Sequence, residues 1–410
     1  MKRATFPTTL TLTGFYLFAF SIPISHVPAQ FGIAFSFIGW FLEGLLNKRW
    51  QIQRHVFFIP LTFYLIWNIL SSAISERPLH SLTALIDNEW PALLMVMLFW
   101  NVKDVRVLKR IVNLFLFSSS IAMVYAMWET FAGVELYRNL PLDPMGNYYR
   151  AVGFYGFYLT FAAFAMSVLF LAASHSVEAK GRRRWMYLSI TAISFFAIIG
   201  TFARSIWLAI AALIPLFSFL KSKKLGLIVT ASLVVVIIAV MLTVPAIKER
   251  IFSIVDVTQN ETRLNLWKTA IAVWKDTPVL GIGEDNWDLV FERFKVPGFY
   301  DTTVHPHNDY LTVLVSSGII GFLNFIALWF IALWTGLRTS RRAKDNNLRA
   351  IANGSTVALC GFLIGSFFQN YYGSFINCLG WWFVAGLIFA SAAVAQSDEN
   401  LDPQHHSMSS

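Results

Sequence analysis

The sequence predicts an all-α polytopic membrane protein, and three observations carry the prediction. The 410 residues are 56% hydrophobic and 13% charged, with a mean hydropathy of +0.58; a soluble domain carries about 25% charged residues. Twelve apolar stretches recur along the chain, each near the roughly 20 residues that cross a bilayer as a helix. The basic residues gather in every second connection, the pattern that orients a multi-pass chain.

In order, the stretches lie at about 8–25, 29–46, 56–74, 82–100, 108–128, 152–173, 185–201, 204–220, 225–245, 308–337, 350–370 and 376–395. The first reads as a span and not as a cleaved signal peptide. No small-x-small cleavage site follows it, and a second span begins at once. With the N-terminus inside, the inner segments are Lys2-Arg3, Lys48 to Arg54, Lys103 to Arg110, Lys180 to Arg184, Lys221 to Lys224 and Arg338 to Arg349, which hold 21 of the 32 Lys and Arg residues. Both termini are then cytoplasmic. The formal net charge of +9 reports this topology, and no nucleic-acid partner follows from it. The chain, 1–410, reads as one transmembrane domain, with 396–410 a polar, disordered cytoplasmic tail. Cys360 and Cys378 lack metal-ligand spacing and read as small buried apolar residues.

Two outer connections are long, 129–151 and 246–307. Long loops in a compact domain are usually functional. The second, inserted between spans 9 and 10, has the grammar of a helix. Asn260 is placed to cap it, and Glu261 suits the first-turn dipole. Leu264, Trp267, Ile271 and Trp274 recur at helical spacing, Pro278 closes the segment, and Gly281-Ile282-Gly283 follows as a turn. The tryptophans suit the headgroup region.

The candidate chemistry lies on the outer side. His305 and His307 sit in His305-Pro306-His307-Asn308-Asp309-Tyr310-Leu311, just before span 10. Histidine exchanges a proton near neutral pH. As the first residues of a helix, the two rings would point in different directions; the bland alternative is that they only cap it. Arg204 lies in the tight turn between spans 7 and 8, at a helix N-terminus where an anion is favoured. Its competing role is to snorkel to lipid phosphates. Arg263 sits on the loop helix, and Arg150 follows Tyr148-Tyr149 before span 6. Guanidinium forks match phosphate oxygens. No Walker loop, GxGxxG or outer Asp-x-Asp pair occurs, so the residues point to histidine and arginine chemistry with no metal and no cofactor. Asp87-Asn88-Glu89, within span 4, reads as structural pairing, as acceptor contact or as a misplaced span boundary.

These residues carry a family resemblance. His307-Asn308, nine residues, then Gly318-x-x-Gly321 matches the pattern His-[Asn/Ser/Gln]-x9-Gly-x-x-[Gly/Thr/Tyr] of the bacterial O-antigen ligases. Thr201-Phe202-Ala203-Arg204-Ser205 resembles their Ser-Arg turn. Thr262-Arg263-Leu264-x-Leu266-Trp267 to Pro278-x-x-Gly281-x-Gly283 resembles their loop signature. With twelve spans and one large outer loop, the resemblance covers most of the chain. It implies a GT-C-like helical fold with a large periplasmic loop, in the bacterial inner membrane. It also implies transfer of a glycan from undecaprenyl pyrophosphate to a sugar hydroxyl of the lipid A–core, on the periplasmic side. His307 would be the general base, with His305 as the other candidate. Arg204 and Arg263 would hold the pyrophosphate, with Arg150 joining them on a looser match.

The nearest alternative is an O-antigen polymerase, with a lipid-linked glycan as acceptor; the fully matched histidine–glycine pattern favours the ligase. A protein-O-oligosaccharyltransferase is disfavoured because no further domain is expected after span 12. A transporter of lipid-linked sugars would show internal repeats and charged midplane residues; here the polar groups gather at one face.

Overall fold

The computed structural model describes residues 5–401 apart from Val255 and Val257. In chain order the helices are α1 (Phe6–Ser21), α2 (His26–Asn47), α3 (Phe58–Ala73), α4 (Pro78–Glu89), α5 (Ala92–Asn101), α6 (Val105–Ala132), α7 (Tyr158–Glu178) and α8 (Gly181–Gly200). They continue as α9 (Arg204–Lys221), α10 (Lys223–Thr243), α11 (Pro245–Phe252), α12 (Glu261–Asp276), α13 (Trp287–Phe294), α14 (Asp309–Arg342), α15 (Asn346–Gly365) and α16 (Phe375–Leu401). Each of the twelve apolar stretches falls on these helices. Among the described residues, eight segments are long and apolar enough to cross a membrane, and α3 and the apolar part of α9 are shorter. The chain is an all-α multi-pass membrane protein.

The helices sort by their solvent. α7 and α16 are buried on almost every side, as all-round apolar helices at the centre of a bundle must be. α10 has the highest hydropathy of the spans yet is almost wholly exposed, which is stable only where lipid is the solvent. In the core the Trp329 ring packs at a tilt against those of Trp381 and Trp382, with centroids 5.2 and 5.1 Å away.

The connections depart from the sequence reading in several places. The stretch at 82–100 has a junction at Trp90-Pro91, where α4 gives way to α5, and the two together, Pro78–Asn101, make one of the eight segments. The first long outer segment forms two small antiparallel hairpins, β1 (Val134–Glu135) with β2 (Leu140–Pro141) and β3 (Pro144–Met145) with β4 (Tyr148–Tyr149). The segment 246–307 carries α11, α12 and α13. α16 runs to Leu401, continuing as helix into the stretch read as tail; residues 402–410 lie outside the described residues.

α12 takes a different phase from the one its spacing predicts. Its buried residues are Thr262, Asn265, Leu266, Thr269, Ala270 and Val273. Leu266, Ala270 and Val273 pack with Trp287 and Phe291 of α13 and Val315 of α14. Leu264, Trp267, Ile271 and Trp274 lie on the less buried side. Two apolar stripes compete on this helix. Leu266, Ala270 and Val273 make the fully buried contact, while the two tryptophans are only half-buried, Trp274 at the edge of that cluster and Trp267 beside Arg263.

The loop, α3 and α14 meet in one joint. α14 is interrupted at Gly318, with φ +63° and ψ −171°, and the break frees carbonyls that the loop takes up. Ile282 N–H donates to Val315 O (3.0 Å), Gly283 N–H to Ser316 O (2.9 Å), and Trp67 Nε1–H to Ser317 O (2.9 Å). In return Ile319 N–H donates to Pro278 O at 2.9 Å. A Cβ at Gly318 would lie 2.1 Å from Val279 O, and one at Gly281 2.5 Å from the Ser316 backbone. The separated glycine motifs are thus two halves of one contact, which sets where the loop sits over α14.

Candidate active site

The site is built from the start of α14 outward. Asn308 caps α14: its Oδ1 accepts from Leu311 N at 3.0 Å, and its Nδ2 donates to Phe367 O at 3.1 Å. Asp309 is buried. Its carboxylate accepts from Ser366 Oγ (2.5 Å), Tyr371 N (2.9 Å) and Tyr372 N (3.0 Å). A buried carboxylate needs such donors, and here they fix the α15–α16 connection against the start of α14. That connection carries Gln369.

The two histidines precede the helix and are not its first residues. Their rings lie side by side, 4.2 Å apart at 59°. His307 sits in the left-handed region, φ +50°, a conformation that costs a non-glycine residue energy and recurs at functional sites. Its Nδ1 lies 2.9 Å from Gln369 Oε1, a pairing that assigns the proton to Nδ1 and the lone pair to Nε2. His307 Nε2 is buried and without a hydrogen-bond partner. His305 Nδ1 accepts the His307 backbone N–H at 3.1 Å, so its lone pair is engaged. Burial lowers the His305 pKa to about 4, helped by His307. Burial also lowers that of His307; Arg263 adds to the lowering, while Gln369 and Asp301 oppose it. Both rings are neutral at pH 7.

The arginines converge nearby. Arg204, the first residue of α9, donates through Nη1 to Ser253 O (2.6 Å) and Ser253 Oγ (3.1 Å). Arg263 follows in the first turn of α12 and lines the same cavity, of about 250 Å3, with Ser205, Asn260, Trp267 and Phe368. Asn260 precedes α12, but its side chain makes no cap bond. Its Nδ2 instead donates to the carbonyls of Ser253, Ile254 and Asp256 at 2.7–3.3 Å, gathering the turn around Arg204. Arg150 lies over the Tyr158 ring at 4.4 Å, with its Nη1 3.5 Å from Asp143 Oδ2 and its Nε buried without a partner.

A fourth arginine went unread in the sequence. Arg250, on α11, donates through Nε to Phe202 O at 3.2 Å. Burial, joined by the charges of Arg204, Arg150 and Arg263 and opposed by Tyr158, lowers its pKa to about 10. Lys248-Glu249-Arg250 resembles ordinary loop charge, and nothing in its spacing marks it. Gln369 and Asp309 were unread as well. Asp309 adjoins the histidine motif, which is a signal; Gln369 had none.

Asp87-Asn88-Glu89 is divided by the fold. Asp87 is exposed. Asn88 Nδ2 donates to Glu284 Oε1 at 3.0 Å, and buried Glu89 accepts from Tyr372 Oη at 2.7 Å. Both bonds brace the connections that hold the site. Cys378 is buried and Cys360 partly so, both as free thiols. Among the described residues, no three His, Cys, Asp or Glu side chains converge as metal ligands.

An apolar groove of about 220 Å3, walled by residues such as Phe195, Trp207, Leu233 and Ile251 from α8 to α11, adjoins the arginine cavity. The two share Leu208 and Ile254. A family model described as O-Antigen ligase matches residues 189–326. That segment includes Arg204, Arg250, Arg263, both histidines and the Gly318–Gly321 pair; Arg150 and Gln369 fall outside it. No curated protein sequence matches the chain.

Proposed function

We propose, starting from the match of residues 189–326 to the O-antigen ligase family model, that the chain transfers a glycan from undecaprenyl pyrophosphate to a sugar hydroxyl of the lipid A–core. The reaction would occur at the periplasmic face of a bacterial inner membrane, within a GT-C-like bundle whose segment 246–307 forms a periplasmic loop. The observation that carries the mechanism is the state of His307. Gln369 holds Nδ1–H, and Nε2 is buried, unpartnered and neutral, beside an arginine cluster.

In this reading Nε2 takes the proton of the acceptor hydroxyl, and the oxygen attacks the anomeric carbon. The bond from that carbon to the pyrophosphate oxygen breaks, and its electron pair leaves with the pyrophosphate. Attack from the face opposite the leaving group inverts the anomeric centre through an oxocarbenium-like transition state. Arg204, Arg263, Arg250 and Arg150 bind the pyrophosphate, together with the N-terminus of α9. Their charge is preorganised where negative charge grows, so they stabilise the transition state more than the ground state. The apolar groove that meets the arginines at Leu208 and Ile254 suits the isoprenoid tail. Four cations supply the electrostatic role a divalent ion would otherwise fill, so the reading needs no metal. His305 supports the backbone of His307 and does not act as the base.

The test uses purified protein with undecaprenyl-pyrophosphate glycan, O-antigen-free lipopolysaccharide and EDTA. Wild type yields a ladder on lipopolysaccharide. His307→Ala loses about 10²–10⁴-fold, the usual contribution of a positioned base. Arg250→Ala raises the KM for donor. Longer glycan still on the polyprenyl carrier would make the protein a polymerase, and product with retained configuration would overturn direct inversion.

A further inference from the structure

The end of the bundle opposite the histidines holds a cavity of about 570 Å3, bounded by α7, α9, α10, α14 and α15. α7, α14 and α15 each run from the site to this end, so the cavity is a full helix length from His307. Its wall is apolar, with Phe170, Leu213 and Phe217. Its rim is polar, with Arg341, Arg349, Ser340 and Asn353 beside the carboxylate of Glu178. Arg349 is already used: Nη1 lies 3.3 Å from Glu178 Oε2, and Nη2 donates to Ala343 O at 2.9 Å. Arg341 is exposed and, among the described residues, has no hydrogen-bond or carboxylate partner.

An apolar wall with a free cation at its mouth is complementary to one kind of ligand: an acyl chain ending in a negatively charged head. The Lys and Arg distribution assigns this end to the cytoplasm, where anionic lipids are drawn to basic pockets between transmembrane helices. We propose that the cavity binds one anionic phospholipid of the cytoplasmic leaflet, with its phosphate at Arg341 and its chain along Phe170, Leu213 and Phe217. The bound lipid bridges α9 and α10 to α7 and α15. It therefore braces the helix that carries Arg204 at its other end. This site is separate from the glycosyl-transfer reading and stands without it.

Delipidated protein in detergent is titrated with dioleoyl-phosphatidylglycerol and, separately, with dioleoyl-phosphatidylcholine. Bound lipid is counted by native mass spectrometry, and Tm is recorded in parallel. Wild type retains one phosphatidylglycerol at concentrations where phosphatidylcholine is not retained, and only the former raises Tm. Inorganic phosphate in large excess does not displace it. Arg341→Glu, a surface change, weakens phosphatidylglycerol binding by about tenfold. Ser218→Trp, which fills the cavity and leaves the charges, also removes retention. Equal retention of the two lipids by wild type, or unchanged phosphatidylglycerol binding in Arg341→Glu, overturns the proposal, as does displacement by phosphate alone.

Discussion

His307 combines a strained backbone, a fixed tautomer and an open lone pair. Burial and Arg263 hold its pKa below the ordinary histidine value of about 6.5, so the base form dominates at neutral pH. Activity is then flat above pH 7 and falls only as pH drops below that value and the ring protonates. Gln369 opposes the lowering, because its oxygen stabilises the imidazolium. Gln369→Leu therefore moves the acid limb to lower pH and costs about ten- to hundredfold in kcat, while Gln369→Glu moves the limb to higher pH. A pH–rate profile checks this. A rate loss with the limb unmoved in both variants would reduce Gln369 to a packing residue. The histidines and three of the four arginines were legible in the sequence, through proton chemistry and matching motifs. Arg250 was not, because its membership depends on α11 folding back onto the turn at Phe202.

At the scale of elements, the glycine motifs prove to be joinery. Gly318 lets α14 break so that its carbonyls receive the loop at Ile282 and Gly283. Gly318→Ala meets a positive φ with ψ near 180°, a region essentially reserved for glycine that costs on the order of 1–3 kcal/mol, and a backbone oxygen at 2.1 Å that cannot swing away. Gly321 is helical and carries no positive φ; a Cβ there would meet the Ser317 hydroxyl at 2.2 Å, which can rotate, and the Ser317 Cβ at 2.4 Å, which would need a backbone adjustment. Thermal unfolding in detergent is expected to show a clear fall in Tm for Gly318→Ala and a smaller one for Gly321→Ala. Wild-type stability in Gly318→Ala would mean that the joint is not rigid. α12 shows where periodicity misleads. Its tryptophan stripe is the larger apolar signal, yet Leu266, Ala270 and Val273 make the buried contact. Spacing alone could not choose between two apolar faces.

The whole molecule is polarised along its helices. Histidines and the arginine cluster occupy one end, and Arg341, Arg349 and the serine-rimmed cavity occupy the other. On the positive-inside rule, the basic residues lead one to expect the second end in the cytoplasm. A C-terminal green fluorescent protein fusion is therefore expected to fluoresce, and an alkaline phosphatase fusion at the same point to be inactive. An active phosphatase would reverse the orientation and move the proposed acceptor chemistry to the other face.

By itself the sequence determined the helical, membrane-spanning character, the recurrence of basic connections along the chain and the motifs at His307, Arg204 and Arg263. These follow from local composition and spacing, because a span must be apolar over its own length and a motif is contiguous by definition. Only the tertiary structure decided which histidine keeps a free lone pair. That depends on Gln369, 62 residues away in the chain, held in place by the buried Asp309. It also decided that Arg250 joins the cluster, which face of α12 is buried, and that distant glycines share one joint. Such features rest on contacts between remote segments, and a hydrogen bond of about 3 Å leaves no periodic trace in the sequence that makes it.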